Sequence, residues 1–312
     1  MTPASREPAS DSPAIELRDL AKSYGTVHAV RGISLDVRRG EIFGFLGLNG
    51  AGKTTTIRML LDLLRPTRGS AALLGIDCQR RGREARAQVG YAPGELGLYP
   101  DMTGRQLLDL MASLSGVRVD AAYRLKLVDR LELARTDLDR TLREYSTGMK
   151  RKLGLIQALQ ADPPLLILDE PAEGLDPLVQ IALNDLLFDL RSRGRTVFMS
   201  SHVLSEVERL CDRIAVIRAG EIVLLTTVEE ARHMGGRTIR VRFSTPPPAD
   251  AAIPLPPGMA IVDRAPDRWT INAAGDVGAL LPVLAGLPVR DLEIAEPSLE
   301  DVLRRFYREQ PS

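Results

Sequence analysis

The 312-residue sequence predicts an α/β protein: a mostly parallel sheet covered on both faces by helices, with a small α+β domain behind it. Three observations carry this reading. Short apolar, strand-like runs alternate with helical stretches from Ile15 to about Thr226. One run, EIFGFL, leads straight into a glycine-rich loop and a helix. After about Thr227 the character changes: PPPADAAIPLPPG, from Pro246 to Gly258, is a proline-rich loop, and strand-like RTIRVRFS and RWTINA lie around it.

The elements follow in order. Residues 1–13 are rich in Pro, Ser and Asp and lack an apolar h-region, so a disordered lead-in is expected and a signal peptide is not. From Ile15 to about Gly40, AIELRDL and HAVRGISLDV read as antiparallel strands. EIFGFLGLNGAGKTTTIRMLLDLL is a strand, a loop and a helix, and further strands with a short helix follow between Ser70 and Tyr91. Arg105 to Leu133 is helical by period, with Leu107, Leu108, Met111 and Leu114 on one side. A helix follows Ser146, a buried strand covers LLILDEP, and a long helix follows Pro177. TVFMS is a strand and VLSEVERL a helix. In the last domain a helix is expected from Asp276 to Leu284, with a core of Ile239, Val241, Phe243, Trp269, Ile271 and Leu280. EPSLEDVLRRFY reads as a helix capped by Ser298, with Asp301 three residues on. The expected organisation is therefore a large domain over 14–226, helical from about 95 to 160, and an accessory domain over 227–312.

Charge and composition narrow the function. The 41 basic and 41 acidic residues cancel, which removes any general pull toward nucleic acid, and none is expected as a partner. No stretch reaches the ~18 to 20 apolar residues of a membrane span. Cys78 and Cys211 match no zinc or redox spacing and are expected to be reduced packing residues.

Gly47-Leu-Asn-Gly-Ala-Gly-Lys53-Thr54 fits G-x-x-x-x-G-K-[ST], a pattern that chance yields in about one in a hundred chains of this length. Its glycines let the backbone wrap with N–H groups turned inward on phosphate, and the helix that starts near Lys53 adds its positive end. Asn49, Gly50, Gly52, Lys53, Thr54 and Thr55 are the candidate nucleotide-holding set. Lys53 reaches the terminal phosphates and Thr54 offers its hydroxyl to Mg²⁺. Downstream, an apolar strand ends in Asp169 and Glu170. An acid at the C-terminal end of a parallel strand lies beside such a loop. Asp169 is expected to orient Mg²⁺, and Glu170 to act as general base on the attacking water.

This order of motifs resembles the nucleotide-binding domain of ABC transporters, over roughly Ile15 to Thr226. The resemblance implies a P-loop NTPase fold of ABC type with an antiparallel β subdomain and a helical subdomain. It implies ATP and Mg²⁺ as cofactors, ATP hydrolysis, and a head-to-tail dimer with a second ATPase copy. Ser146 and Gly148, in Tyr-Ser-Thr-Gly-Met, stand where the family's signature contacts the ATP held by the other copy; Thr147 and Met149 depart from the commoner Gly and Gln. Tyr24, in KSYG, stands at the adenine-stacking position, and Asp176, in Gly-Leu-Asp-Pro, in the loop that touches the partner. His202, in MSSHVL, resembles the switch histidine at the γ-phosphate. A departure falls in Gly90-Tyr-Ala-Pro-Gly94-Glu95: Gly94 stands where the family usually has a Mg²⁺-coordinating Gln, and either Glu95 or a water is the candidate to replace that side chain.

GELGLYPDMTG and EPSLEDVLRRFY resemble ATPases of antibiotic export, including the daunorubicin-resistance type paired with ABC-2-type permeases. That implies a subunit powering export of a drug, antibiotic or lipid-like molecule through a separate ABC-2-type transmembrane permease, at the cytoplasmic face of the membrane. A non-transport ABC ATPase and an importer ATPase are the alternatives.

Overall fold

The computed structural model describes residues 12–94, 97, 99–234, 236–247, 254–274, 276–295 and 299. They fall into two compact units, divided between Leu225 and Thr226.

The first unit opens with β1 (Ile15–Tyr24) and β2 (Val27–Val37), antiparallel partners from Ile15↔Val37 to Tyr24↔Val27. Alternation builds the pair: Val30, Ile33, Leu35 and Val37 turn inward while Arg31, Ser34 and Asp36 do not. Then come β3 (Ile42–Leu46), α1 (Lys53–Leu60), β4 (Arg68–Leu73), β5 (Ile76–Asp77), α2 (Gly82–Arg86) and β6 (Val89–Ala92). The first sheet is antiparallel, in the order β2-β1-β4-β5.

A helical stretch follows: α3 (Gly104–Ser115), α4 (Ala121–Arg130), two 3₁₀ turns at Arg135–Asp139 and Leu142–Glu144, and α5 (Thr147–Leu159). The expected helical reading is refined here. α3 begins with a full capping box, Thr103 with Gln106, and buries Leu107 and Leu108. Met111 is only half-buried and Leu114 is 72% exposed. The helix leaves its neighbours before its last turn, so the periodic face is not a continuous core face.

The remaining elements of the unit are β7 (Leu165–Asp169), α6 (Pro177–Ser192), β8 (Thr196–Ser201), α7 (Leu204–Leu210), β9 (Arg213–Arg218) and β10 (Glu221–Thr227). The second sheet runs β10-β9-β3-β8-β7-β6, and its β9-β3-β8-β7-β6 pairs are parallel. β3, β7 and β8 are buried at every residue, which is why IFGFL and LLILD are continuous rather than alternating apolar runs. On one face Phe43, Phe45, Leu165, Ile167 and Phe198 share a core with Ile57 of α1 and Leu17, Leu20 and Ile33 of the antiparallel sheet. α6 and α7 pack on the sheet through β3 and β8. Parallel strands place all their C-terminal ends on one edge, and that edge carries the site.

The second unit holds α8 (Val228–Met234), β11 (Arg237–Phe243), β12 (Met259–Arg264), β13 (Arg268–Ala273), α9 (Leu281–Ala285) and β14 (Val289–Ala295). Its antiparallel sheet runs β12-β13-β11-β14. Ile239, Val241, Phe243, Trp269, Ile271 and Leu280 form one buried cluster, with Trp269 edge-on to Phe243 at 4.7 Å between ring centroids. β12 and β14 were not expected from the sequence; both are outer strands with mostly exposed side chains, so their apolar period is weak. The expected helix from Asp276 is instead a 3₁₀ turn, Val277–Leu280, running into the short α9. Pro282 sits in the first turn of α9, where its missing N–H is tolerated. The reading of a helix capped by Ser298 lies outside the described residues, apart from the buried Leu299.

Candidate functional site

β3 ends at Leu46 and the chain turns through Gly47–Gly52 into α1. The glycines are sterically required. A Cβ on Gly47 would stand 2.5 Å from the Ile217 carbonyl oxygen, and one on Gly52 would stand 2.7 Å from that of Ala29. Gly52 also caps α1 with φ 114°, a conformation reserved for glycine. The loop is thus pressed against β2 and β9. Lys53, 5% exposed, folds back across it. Its ammonium donates to the carbonyls of Gly47 at 2.6 Å and Leu48 at 3.4 Å.

Residues far apart in sequence meet at this point. Lys53 Nζ lies 3.1 Å from Glu170 Oε1, an ion pair without hydrogen-bond geometry. Glu170 Oε2 lies 2.8 Å from His202 Nδ1 and accepts from the His202 amide at 3.3 Å. The neighbouring Asp169, 3% exposed, accepts from Thr54 Oγ1 at 3.0 Å on one oxygen and from Ser200 Oγ at 2.6 Å on the other. Ser200 Oγ accepts in turn from the Glu170 amide at 3.0 Å. Glu170 holds φ 51°, an uncommon value for a non-glycine residue, and this turns its carboxylate away from the strand and toward Lys53. The hydroxyl of Thr54 and the carboxylate of Asp169 offer hard oxygen donors side by side, a donor set suited to Mg²⁺.

The other expected residues lie around this centre. Tyr24 is half exposed at the end of β1, with Lys22 Nζ 5.2 Å from its ring centroid. Asn49 and Gly50 are exposed at the crest of the loop, and Thr55 is half-buried behind it. Asp176 caps α6 by accepting from the Val179 amide at 3.1 Å, a bond that holds its carboxyl below the ordinary value. Ser146, exposed, caps α5 by accepting from the Met149 amide at 3.2 Å. A Cβ on Gly148 would meet the Gly174 carbonyl oxygen at 3.4 Å. Neither Ser146 nor Gly148 hydrogen-bonds to the phosphate loop. A Cβ on Gly94 would stand 3.6 to 3.8 Å from Asp169 atoms, so the position of the missing Gln does face the acid. Glu95 lies outside the described residues.

The ABC transporter family profile matches residues 30–173, which spans the phosphate loop, the signature and both acids. A solved ATP-binding subunit of an ABC transporter is 31% identical, covers 70% of this chain and 92% of its own, and superposes with a TM-score of 0.65. The chain belongs to the ABC transporter ATP-binding family. It is an ABC-type ATPase. Among curated relatives, the daunorubicin resistance ATP-binding protein DrrA3 of Streptomyces coeruleorubidus is 35% identical over 93% of this chain and 94% of its own length. The Nod factor export ATP-binding protein I of Paraburkholderia xenovorans is 44% identical over 66% and 68%.

Three side chains of this ABC ATPase site escaped the sequence reading. Ser200 orients both acids from the adjacent strand. Glu206 accepts from Ser201 Oγ at 3.3 Å; burial pushes its carboxyl above the ordinary value, the Ser201 bond opposes that, and the Glu170 charge adds to it. Arg151 is 6% exposed, and burial pulls its guanidinium below the ordinary value against the attraction of Glu173, Asp169 and Glu170. Its signal was present: Arg151, Leu155, Ala158 and Leu159 fall on the buried stripe of α5, and a cation on such a stripe calls for partners.

Proposed function

We propose that this chain is the ATP-hydrolysing subunit of an exporter whose membrane path is a separate ABC-2-type permease. The observation that carries the hydrolytic reading is the linked set Lys53, Glu170, His202, Asp169 and Thr54 on one sheet edge. In this reading the phosphate-loop amides and Lys53 hold the β- and γ-phosphates, and Tyr24 stacks on the adenine. Thr54 and Asp169 hold Mg²⁺, which when bound neutralises charge on the phosphate oxygens. Glu170 takes a proton from the attacking water, and His202, already at its carboxylate, keeps that carboxylate aimed at the γ-phosphate. In this reading Ser146, Gly148 and Asp176 serve the ATP of a second copy in a head-to-tail dimer.

The export reading is supported by the full-length similarity to a daunorubicin resistance protein and the strong similarity to Nod factor export proteins. No helix among the described residues is long and apolar enough to cross a membrane. The site of action is then the cytoplasmic face of the membrane, against the permease. The unit from Thr226 on acts in this reading as an accessory module that tunes the dimer and does no chemistry.

Glu170→Gln tests the core of this. Turnover should fall about 10²- to 10⁴-fold while ATP still binds. Rate and nucleotide affinity are measured on one preparation, and a near-normal rate removes Glu170 from the role. Copurification of the membrane partner, followed by ATP-driven drug uptake into inverted vesicles, tests export; ATP-driven release of preloaded drug from the same vesicles would make the chain an importer subunit.

A further inference from the structure

An arginine on the apolar stripe of α5 must replace its lost water with hydrogen bonds. Arg151 does so without a close carboxylate: Glu173 Oε2 is 3.9 Å away and its side chain is 65% exposed. Its partners are four backbone carbonyls. Nη1 donates to Pro93 at 2.8 Å and Gly94 at 2.7 Å, Nε donates to Glu173 at 3.2 Å, and Nη2 donates to Glu170. These carbonyls belong to three segments: the turn after β6, the residue whose carboxylate meets Lys53, and the loop that leads into α6.

Capturing carbonyls fixes backbone rather than a side chain. The Glu170 peptide leaves the strand in a left-handed conformation, and the Arg151 bond to its carbonyl holds it there. On the same helix, Ser146 lies only about 7.5 Å along the axis from Arg151. Two further contacts join the start of α5 to the same loop, Gly148 beside the Gly174 carbonyl and Lys152 Nζ at 3.8 Å from Asp176 Oδ2. The signature therefore cannot shift relative to Glu170 without breaking bonds to a buried guanidinium. Gly94 has no side chain with which to make such a link, and Arg151 takes its carbonyl instead.

We infer that Arg151 is the positioning residue that couples this chain's own hydrolytic carboxylate to its Ser146–Gly148 signature, and through it to a nucleotide held by a second copy. The inference rests on the roles given to Glu170 and the signature under Proposed function. A binding or hydrolysis event at one site then biases the other through a rigid link inside each chain. Lysine cannot substitute, since a single ammonium presents three N–H bonds from one point, whereas these carbonyls are reached from three nitrogens of a planar fork.

Arg151→Lys keeps the charge and tests the fork. In the full chain, kcat should fall about 10- to 100-fold, ATP affinity should stay within about twofold, and the Hill coefficient for ATP, above 1 in the unmutated chain, should drop to 1. A purely structural role would lower the melting temperature and the active fraction and leave the Hill coefficient where it was. Unchanged kcat and cooperativity in a folded variant overturn the inference, as does a Hill coefficient of 1 in the unmutated chain. Should the variant not fold, hydrogen exchange on the unmutated chain decides: ATP, at protein concentrations too low for dimers, should slow exchange at residues 146–151 together with Gly94. No change at 146–151 overturns the coupling. If the unmutated chain binds ATP without hydrolysing it, the hydrolytic reading fails by itself, and the exchange experiment still judges Arg151.

Discussion

In the unit that ends at Leu225, Glu41, Lys53, Arg151 and Asp169 are all buried among apolar neighbours; among the described residues of the unit that begins at Thr226, no charged side chain is buried. There Arg240 and Arg242 of β11 alternate outward while Ile239, Val241 and Phe243 turn in, and Arg240 pairs with Glu293 at 3.1 Å on the surface. A buried charge costs several kcal/mol unless its partners are placed. The first unit accepts that cost at four positions. Three of them, Lys53, Asp169 and Arg151, hold or brace the nucleotide site. The fourth, Glu41, lies at the foot of the parallel sheet, where burial raises its carboxyl against the Arg38 amide and Arg213. Among its described residues the second unit accepts none, and its core is the apolar cluster around Trp269. Buried charge therefore distinguishes the described residues of the two units.

The largest test of that contrast is Trp269→Ala. The ring is 2% exposed, edge-on to Phe243 and covered by Arg264 at 4.8 Å. Its loss should cost about 3 to 5 kcal/mol and lower the melting transition of the second unit in calorimetry. ATP affinity should not move. A clear fall in affinity would show that the second unit contributes to the nucleotide site and would end the contrast.

Gly94→Gln comes next and sharpens the chemical side. Gly94 does not need a left-handed φ, and a Cβ there meets Asp169 only at ordinary contact distance, so a side chain fits. An added amide oxygen beside Asp169 should lower the Mg²⁺ concentration for half-maximal ATPase activity by about twofold to fivefold. An unchanged Mg²⁺ titration would mean that another group already supplies that oxygen.

The smallest effect is expected from Glu206→Gln. Burial raises the Glu206 carboxyl above its ordinary value. A raised acid contributes stability that is fully present below its unfolded value of about 4.5 and is lost as pH rises through the folded value. Glutamine stays neutral and still accepts the Ser201 hydrogen bond. The variant should melt about 1 to 2 °C higher than the unmutated chain at pH 8, with the gap closing toward pH 4. A gap that widens on acidification contradicts the assignment.

Much of this could be read before any coordinates existed, and the division follows chain distance. The strand, loop and helix around Lys53 are contiguous, so glycine spacing, apolar period and the Lys-Thr pair state the phosphate loop outright. Asp169 and Glu170 end a visible apolar run, and five of the six core residues of the second unit, all but Leu280, declare themselves by strand alternation. The buried ends of β3, β7 and β8 could be named, but not which atoms they bring together. Lys53 meets Glu170, and Thr54 and Ser200 meet Asp169, only because parallel strands deliver their ends to one edge. Polar outer strands such as β12 and β14 carry little periodic signal, and the exposure of Leu114 depends on how far α3 runs past its support. Arg151 marks the limit most plainly. Its place on an apolar stripe is written in the sequence, but its partners are backbone carbonyls, which every residue possesses, so only the tertiary structure could decide which four it holds.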